Sequence, residues 1–351
     1  MKNTLLVLLL GVLFISSCKK NKINEPNETE LISGKTFNET VLIDGHNYNG
    51  LIIENCIFEN IDGDALLIRD VNNLTIRNCT FREIGDDAIR FRNSGSSNNV
   101  LIQDNLIYNI QGNGILAYET HSNTTIKGNT IHNVGLESIS SVSGAPQHGI
   151  YFQGTNFLIT QNIIYNVINE NGNCISVRSY GKITRNTLYN ADKHGVSYYS
   201  DHPGVNGELT IENNFIYDNG KRGVNLNTNG NQNSHIGNTI IRFNSIVVSS
   251  KSAINISTGM SDIGIEIYGN ILVRTDGNSN IIEFIDPITS EQNLTSSNDI
   301  GFLDFNNRDL HINTTSSAKN YAVGISNFPI NDFDGENRTN SGLDAGADDI
   351  Q

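Results

Sequence analysis

The sequence predicts an all-β fold: a single-stranded parallel β-helix (solenoid) of about nine to ten coils. Three observations predict it. A six-residue element recurs nine times at intervals of 23 to 33 residues, and a second, alternating element follows each copy. The composition also favours turns and short strands over helices, with 32 Gly, five Pro, no Trp, 7% aromatic residues and a marked excess of Asn.

In chain order, Met1 to Ser17 has a charged start at Lys2, an apolar run from Leu5 to Ile15 and small residues before Cys18. That is the pattern of a secretory signal peptide, too short for a membrane span. Ile15-Ser16-Ser17-Cys18 resembles the bacterial lipobox, which implies a lipidated Cys18 as the new N-terminus. Residues 18–33 are polar with one Pro and are expected to tether the lipid to a domain that becomes ordered near Gly34.

The first element then begins, with the form Ile-x-x-(Asn or Cys)-x-(Ile, Leu or Phe). Its fourth positions are Cys56, Cys79, Asn105, Asn129, Asn162, Asn186, Asn214, Asn244 and Asn270. The second element, x-(Gly or Ala)-(Ile or Val)-x-apolar, includes DAIRF at 87, NGILA at 113, HGIYF at 148, HGVSY at 194 and RGVNL at 222. Both alternate apolar with polar residues, the period of a half-buried strand, whereas a helix would need apolar residues three and four apart. A repeat of about 25 residues cannot close a core alone, so the copies must stack, with parallel strands about 4.8 Å apart. An Asn column at a tight turn is expected to bond along the stack and to adopt the left-handed backbone there.

These repeats, over roughly Gly34 to Ile285, resemble the right-handed parallel β-helix superfamily of pectate lyase-like proteins. The right hand is what the resemblance implies; the period does not give it. After residue 285 the repeat is lost. Residues 286–351, including DLHINTTSSAKNYAVG at 309, resemble the tail that closes many secreted bacterial β-helices and are expected to cover the last coil, whose free edge would invite aggregation.

The formal charge of -14 argues against a nucleic-acid partner, which would call for a basic stripe. Cys56, Cys79 and Cys174 remain after Cys18, an odd number that points to buried thiols; a Cys56–Cys79 bridge on adjacent coils is the lesser expectation. The chain is therefore expected to be a monomeric lipoprotein of the outer membrane, in the periplasmic or the surface-facing leaflet, touching the membrane only through its lipid.

Candidate chemistry lies on the second element, whose outward residues form three columns. The first holds Asp64, Asp87, Asn113, His148, Asn173, His194 and Arg222; the second holds Tyr151, Ser176, Ser197 and Asn225; the third holds Arg92, Tyr118, Gln153, Arg178 and Tyr199. The central coils thus bring His148, Tyr151, Arg178, His194, Tyr199 and Arg222 onto one surface, with the two histidines two coils apart, about 9.6 Å at the backbone. Gly135–Gln147, Ser200–Gly207 and Thr228–Gly237, the longest loops, flank this face and are expected to wall a cleft.

A lyase acting on a uronic acid polymer needs a cation for the carboxylate, a base for the adjacent proton and an acid for the leaving oxygen. Arg178 or Arg222 suits the first role, His148 or His194 the second, Tyr151 or Tyr199 the third. Arg92, Tyr118, Gln153, Lys193, Tyr199 and Asn225 are the expected substrate contacts, and the local cations would draw an anionic glycan to an acidic protein. The alternatives are a non-catalytic glycan-binding or envelope-structural β-helix and a glycoside hydrolase. Gly85-Asp86-Asp87 followed by His148-Gly149 resembles the polygalacturonase family, which implies an acid–base pair among Asp62, Asp64, Asp86 and Asp87, although no Arg-x-Lys follows the His. Calcium is the one ion these carboxylates suit, and no dense calcium loop is present. Phosphate-loop, nucleophile-elbow and zinc motifs are absent from the sequence.

Overall fold

The computed structural model describes residues 21–22, 31–136, 146–200, 206–228, 237–257, 260, 264–284 and 288–350. The signal peptide and Cys18 lie outside the described residues, as do most of the three long loops expected to wall a cleft.

Three parallel sheets run the length of the solenoid, each with 11 strands. Sheet 1 carries the Ile-x-x strands (Ile52–Glu54, Thr75–Arg77 and onward), sheet 2 the strands that follow the Asn column, and sheet 3 the second element. The thirty strands from Leu31 to Glu283 fall into ten coils of three. In sheet 1, Ile76, Ile102, Ile126 and Ile159 stand in register, one per coil, and all are fully buried. In sheet 3, Ile89, Ile115, Ile150, Ile175 and Val196 do the same. This is the inward half of each alternation, and it makes one continuous apolar core.

The Asn column is a buried hydrogen-bond ladder. Asn129 N–H donates to Asn162 Oδ1 at 2.9 Å, while Asn162 Nδ2 donates to Ile126 O and to Asn186 Oδ1, both at 2.9 Å. The same set recurs from Asn105 to Asn293. The left-handed residue is not the ladder Asn, as expected, but the one before it: Asn78, Asp104, Gln161, Arg185 and Asn213 all have φ between 52° and 58°. The turn bends one residue early so that the Asn side chain can point inward along the stack.

The solenoid starts before Gly34. Leu31–Ser33 pairs with Ile52–Glu54, and Asn21–Lys22 pairs with Val41–Leu42. Ile32 opens a further copy of the element in which Lys35 takes the Asn position, and Ser290 opens another in which the usual Ile is absent but Asn293 completes the ladder. Cys56, Cys79 and Cys174 are buried free thiols. Cys56 and Cys79 donate to backbone carbonyls of the preceding coil, as the ladder Asn does elsewhere.

The C-terminal segment runs back along the outside of the later coils. Arg185 Nε donates to Phe333 O, Asn213 Nδ2 to Asn331 O and Gly346 N–H to Gly269 O. Phe215, Phe243, Val247 and Ile271 form a second core with Phe302, Leu310, Leu343 and Ala347. The tail meets the last coil, where Gln292 Nε2 donates to Val323 O and Tyr321 Oη to Asn293 O, and it also buries apolar side chains that project outward from sheets 1 and 2, which an ordinary coil would leave to polar residues.

Candidate functional site

The outward columns of sheet 3 stand in the expected register. Tyr151, Ser176, Ser197, Asn225, Asn255 and Glu283 follow one another coil by coil. The first column, at the turn leading into the sheet, is different from an exposed row. His148 and His194 are each 2% exposed and belong to a second buried ladder. Asn113 N–H donates to Asp87 Oδ1, His148 N–H to Asn113 Oδ1, Asn173 N–H to His148 Nδ1 and His194 N–H to Asn173 Oδ1. A histidine Nδ1 thus does what an amide oxygen does one coil away. The recurrent glycine after it is a packing requirement, since a Cβ on Gly149 would lie 2.5 Å from Ile164 Cγ2 and 2.6 Å from Cys174 O.

This bears on the base role expected of the histidines. With Nδ1 of His148 accepting a backbone N–H, the neutral ring carries its proton on Nε2 and has no free lone pair. Burial, with Arg178, Lys193 and His194 adding to it, holds His148 well below the usual histidine range. Burial and the neighbouring Lys193, Arg222 and Lys221 push His194 down to about 2. The ladder breaks at the next step: Arg222 N–H turns to Lys193 O at 3.3 Å, and His194 Nδ1 is buried without a hydrogen-bond partner among the described residues.

Around these rings the sheet-3 side chains converge. The Arg178 guanidinium, 8% exposed, lies between two tyrosine rings, 4.7 Å from the Tyr151 centroid and 4.8 Å from that of Tyr199. It donates to Ser176 Oγ at 2.9 Å and to Val177 O at 3.1 Å. Tyr151 meets His148 edge to face at 5.1 Å, and Lys193 Nζ donates to Tyr199 Oη at 3.4 Å. Planar guanidinium between two ring faces is held in place by cation–π attraction while its edge stays able to donate. Gln153 and Asn225 flank this group as buried members of the same face.

The remaining predicted residues do not join it. Arg222 Nη2 is paired with Glu283 at 2.8 Å, so its charge is already met. Arg92 lies beside a smaller hollow lined by Asp64, Leu67, Arg90 and Asn93, several coils toward the N-terminus. Tyr118 contacts Arg90 there. Asp64, Asp86 and Asp87 do come together, with one oxygen of each within 4.8 Å of the others, while Asp62 is exposed. Arg90 Nη1 sits 3.4 to 3.6 Å from all three, so the chain places a cation of its own beside the carboxylates that suit calcium. Burial, with Asp86 and Asp64 adding repulsion, pushes the Asp87 carboxyl up to about 7.

The sequence reading missed a groove on sheet 1. Two adjoining hollows of about 550 and 570 Å³ share Leu158 and Lys182, with Tyr180 in one and Arg242 and Pro329 in the other. Glu212, 3% exposed, is clamped there between Lys182 at 2.5 Å and Arg242 at 2.7 Å. Its signal was the variable positions of the Ile-x-x-Asn element, the outward face of sheet 1.

Residues 11–148 match the family model described as a right handed beta helix region. The chain is a right-handed parallel β-helix. Its coils continue beyond His148 in unbroken register to Glu291. No curated protein sequence matches it significantly. Among solved structures the β-helix is similar to pectate lyase Pel9A, at 10% identity and TM-score 0.57, over 92% of this chain and 87% of that one. It is also similar to the A-module of the mannuronan C-5 epimerase AlgE6 from Azotobacter vinelandii, at 14% identity and TM-score 0.53, over 74% of each chain. A third is the catalytic unit of a GH87 alpha-1,3-glucanase from Streptomyces thermodiastaticus strain HF3-3, at 18% identity and TM-score 0.50 over 77% of this chain; the β-helix spans half the length of that unit. At these identities the likeness is one of fold.

Proposed function

We propose that this β-helix binds an acidic, uronic acid-containing polysaccharide across the outer face of sheet 3 and cleaves it by β-elimination. The observation that carries the reading is Arg178, a nearly buried cation held between Tyr151 and Tyr199 with Lys193 beside the Tyr199 hydroxyl. In an acidic protein such a site is selective for a carboxylate that arrives flat against aromatic rings. Similarity to a pectate lyase and to a mannuronan epimerase, by their names both agents on acidic glycans, supports the same substrate class.

In this reading Arg178 neutralises the sugar carboxylate, which makes the proton on the neighbouring carbon removable. That proton leaves, a carbon–carbon double bond forms, and the glycosidic carbon–oxygen bond breaks as its oxygen takes up a proton. Tyr199 and Lys193 are the pair through which these protons pass, and Tyr151 lies across the guanidinium from them. His148 and His194 hold the floor of the site as neutral ladder members, and Gln153 and Asn225 contact adjoining sugars. Cys18 carries the lipid that tethers the protein to the outer membrane.

Incubation with a panel of polyuronates, followed by the ultraviolet absorbance of the unsaturated product, tests the chemistry. Product with at least one polymer, lost in Arg178→Gln, supports it; no product with any polymer sinks the lyase step. The second reading, glycan binding without cleavage, is favoured by the absence of a free ring lone pair on neutral His148, whose Nδ1 accepts the Asn173 N–H. It predicts retained binding with no product.

A further inference from the structure

The C-terminal segment carries a charge imbalance that the proposed function does not use. Asp332, Asp344, Asp348 and Asp349 are each 9% exposed or less, and Arg338 is the buried cation beside them. Arg338 meets Asp349 Oδ1 at 3.4 Å and donates to Asn213 Oδ1 and to the carbonyls of Asp344, Gly346 and Ala347, while its Nε has no hydrogen-bond partner among the described residues; one cation thus stands against four buried carboxylates. Asp332 Oδ1 accepts the N–H groups of Gly335 and Glu336, but its Oδ2 is buried with no hydrogen-bond partner among the described residues. Buried carboxylates left in this state call for a counter-charge.

Beside this cluster three side chains from separate stretches converge. One donor atom each of His311, Asp334 and Asp348 lies within 4.8 Å of the other two. His311 Nε2 is 3.1 Å from Asp334 Oδ2, and its Nδ1 is engaged by Asp309 Oδ1. A carboxylate on Nδ1 fixes one ring proton there and aims Nε2 at Asp334 Oδ2, where a metal ion would take the place of the second ring proton, the arrangement that orients a metal-bound histidine. Ligands about 2.1 Å from a tetrahedral ion stand about 3.4 Å apart, so these atoms need shift by only about an ångström to hold one. The ring is further positioned by Phe215, 4.9 Å away on sheet 2, and by Phe333, 5.8 Å away.

We propose that His311, Asp334 and Asp348 bind a first-row divalent cation, Zn²⁺ by preference, which cross-links three stretches of the C-terminal segment. One imidazole and two carboxylates suit zinc better than the all-oxygen shells of calcium or magnesium. The ion would join points 23 and 14 residues apart in sequence, so its effect is to tie the tail to itself beside Phe215 of sheet 2, separate from any glycan chemistry on sheet 3.

The test uses the full chain without a histidine tag, stripped with a chelator and exchanged into metal-free buffer. Titration calorimetry with ZnCl₂ should show a single ion bound in the micromolar range or tighter, with a rise in melting temperature that excess chelator reverses. Asp334→Asn, a substitution at a half-exposed carboxylate that leaves the buried ladder bonds intact, should weaken binding at least tenfold with an unchanged far-ultraviolet dichroism spectrum. His311→Gln should do the same. No saturable Zn²⁺ binding, CaCl₂ binding more tightly than ZnCl₂, or unchanged Zn²⁺ affinity in both folded variants would each overturn the proposal.

Discussion

Replacing Asn162 by alanine should be far more costly than any surface change on this protein. Its Oδ1 accepts from Asn129 N–H and Asn129 Nδ2, and its Nδ2 donates to Ile126 O and Asn186 Oδ1. Not all four partners are stranded by the change. Asn129 Nδ2 keeps Ile102 O and Lys127 O, and Asn186 Oδ1 keeps the Asn162 N–H. Ile126 O keeps its place in the sheet-1 ladder opposite Thr160, so Asn129 N–H is the group left buried and unpaired, and the loss is about 1–3 kcal/mol. Asn190 makes a bond of similar kind, to Asn166 Oδ1, but on the exposed outer surface, where water replaces it at a cost of about 0.5 kcal/mol or less; because Asn190 has φ 53°, glycine is the substitution that removes the side chain without left-handed strain. Urea unfolding of the two variants, followed by far-ultraviolet dichroism, separates these cases. Equal midpoints for Asn162→Ala and Asn190→Gly would refute the assignment of stability to the buried ladder.

Other outcomes follow from the same geometry. The Asp87 carboxyl is raised from 3.8 to about 7, so the folded state keeps its proton longer than the unfolded one and stability falls as pH rises across that window. Asp87→Asn, which places an amide where Asn113 already has one, should flatten that fall by on the order of 3 kcal/mol in urea midpoints measured at pH values on either side of it. His194 shifts the other way, from 6.5 to about 2, so its contribution is present above the unfolded value and is lost as pH falls below it, by about 2 kcal/mol near pH 5. His194→Asn should remove that acid lability while the fold persists; a variant as acid-labile as the parent would contradict the burial of a neutral ring. Arg178→Lys keeps the charge but loses the planar fork between the rings, and glycan affinity should drop by at least tenfold, measured by calorimetry, with little change in melting temperature.

The repeat was legible because every coil meets the same constraint. An inward Ile and a turn Asn recur wherever a strand must pack on the one below, so the ladder from Cys79 to Asn270 can be read from spacing alone. The terminal coils escaped because Lys35 and Ser290 sit at edges where the constraint relaxes. The histidines were found by position but misread in orientation: Asn113 and Asn173 occupy the same column as His148 and His194, and that alternation of Asn with His was the sign of a shared acceptor role. Arg178 and Tyr199 were placed together correctly by register. The pairing of Arg222 with Glu283, two coils away, depends on side-chain reach that no spacing encodes. The path of the tail was hidden for a related reason. Its partners, such as Phe215 and Phe243, are outward residues of coils that look ordinary in the repeat.

The most direct test of glycan recognition on sheet 3 is affinity electrophoresis of the parent protein, Arg178→Gln and Lys182→Ala through gels containing a polyuronate. Lys182 lies in the sheet-1 groove and serves as the control. Retardation of the parent and of Lys182→Ala, with free migration of Arg178→Gln, is the predicted result. Free migration of the parent through every polyuronate, or retardation lost with Lys182 and kept without Arg178, would contradict it.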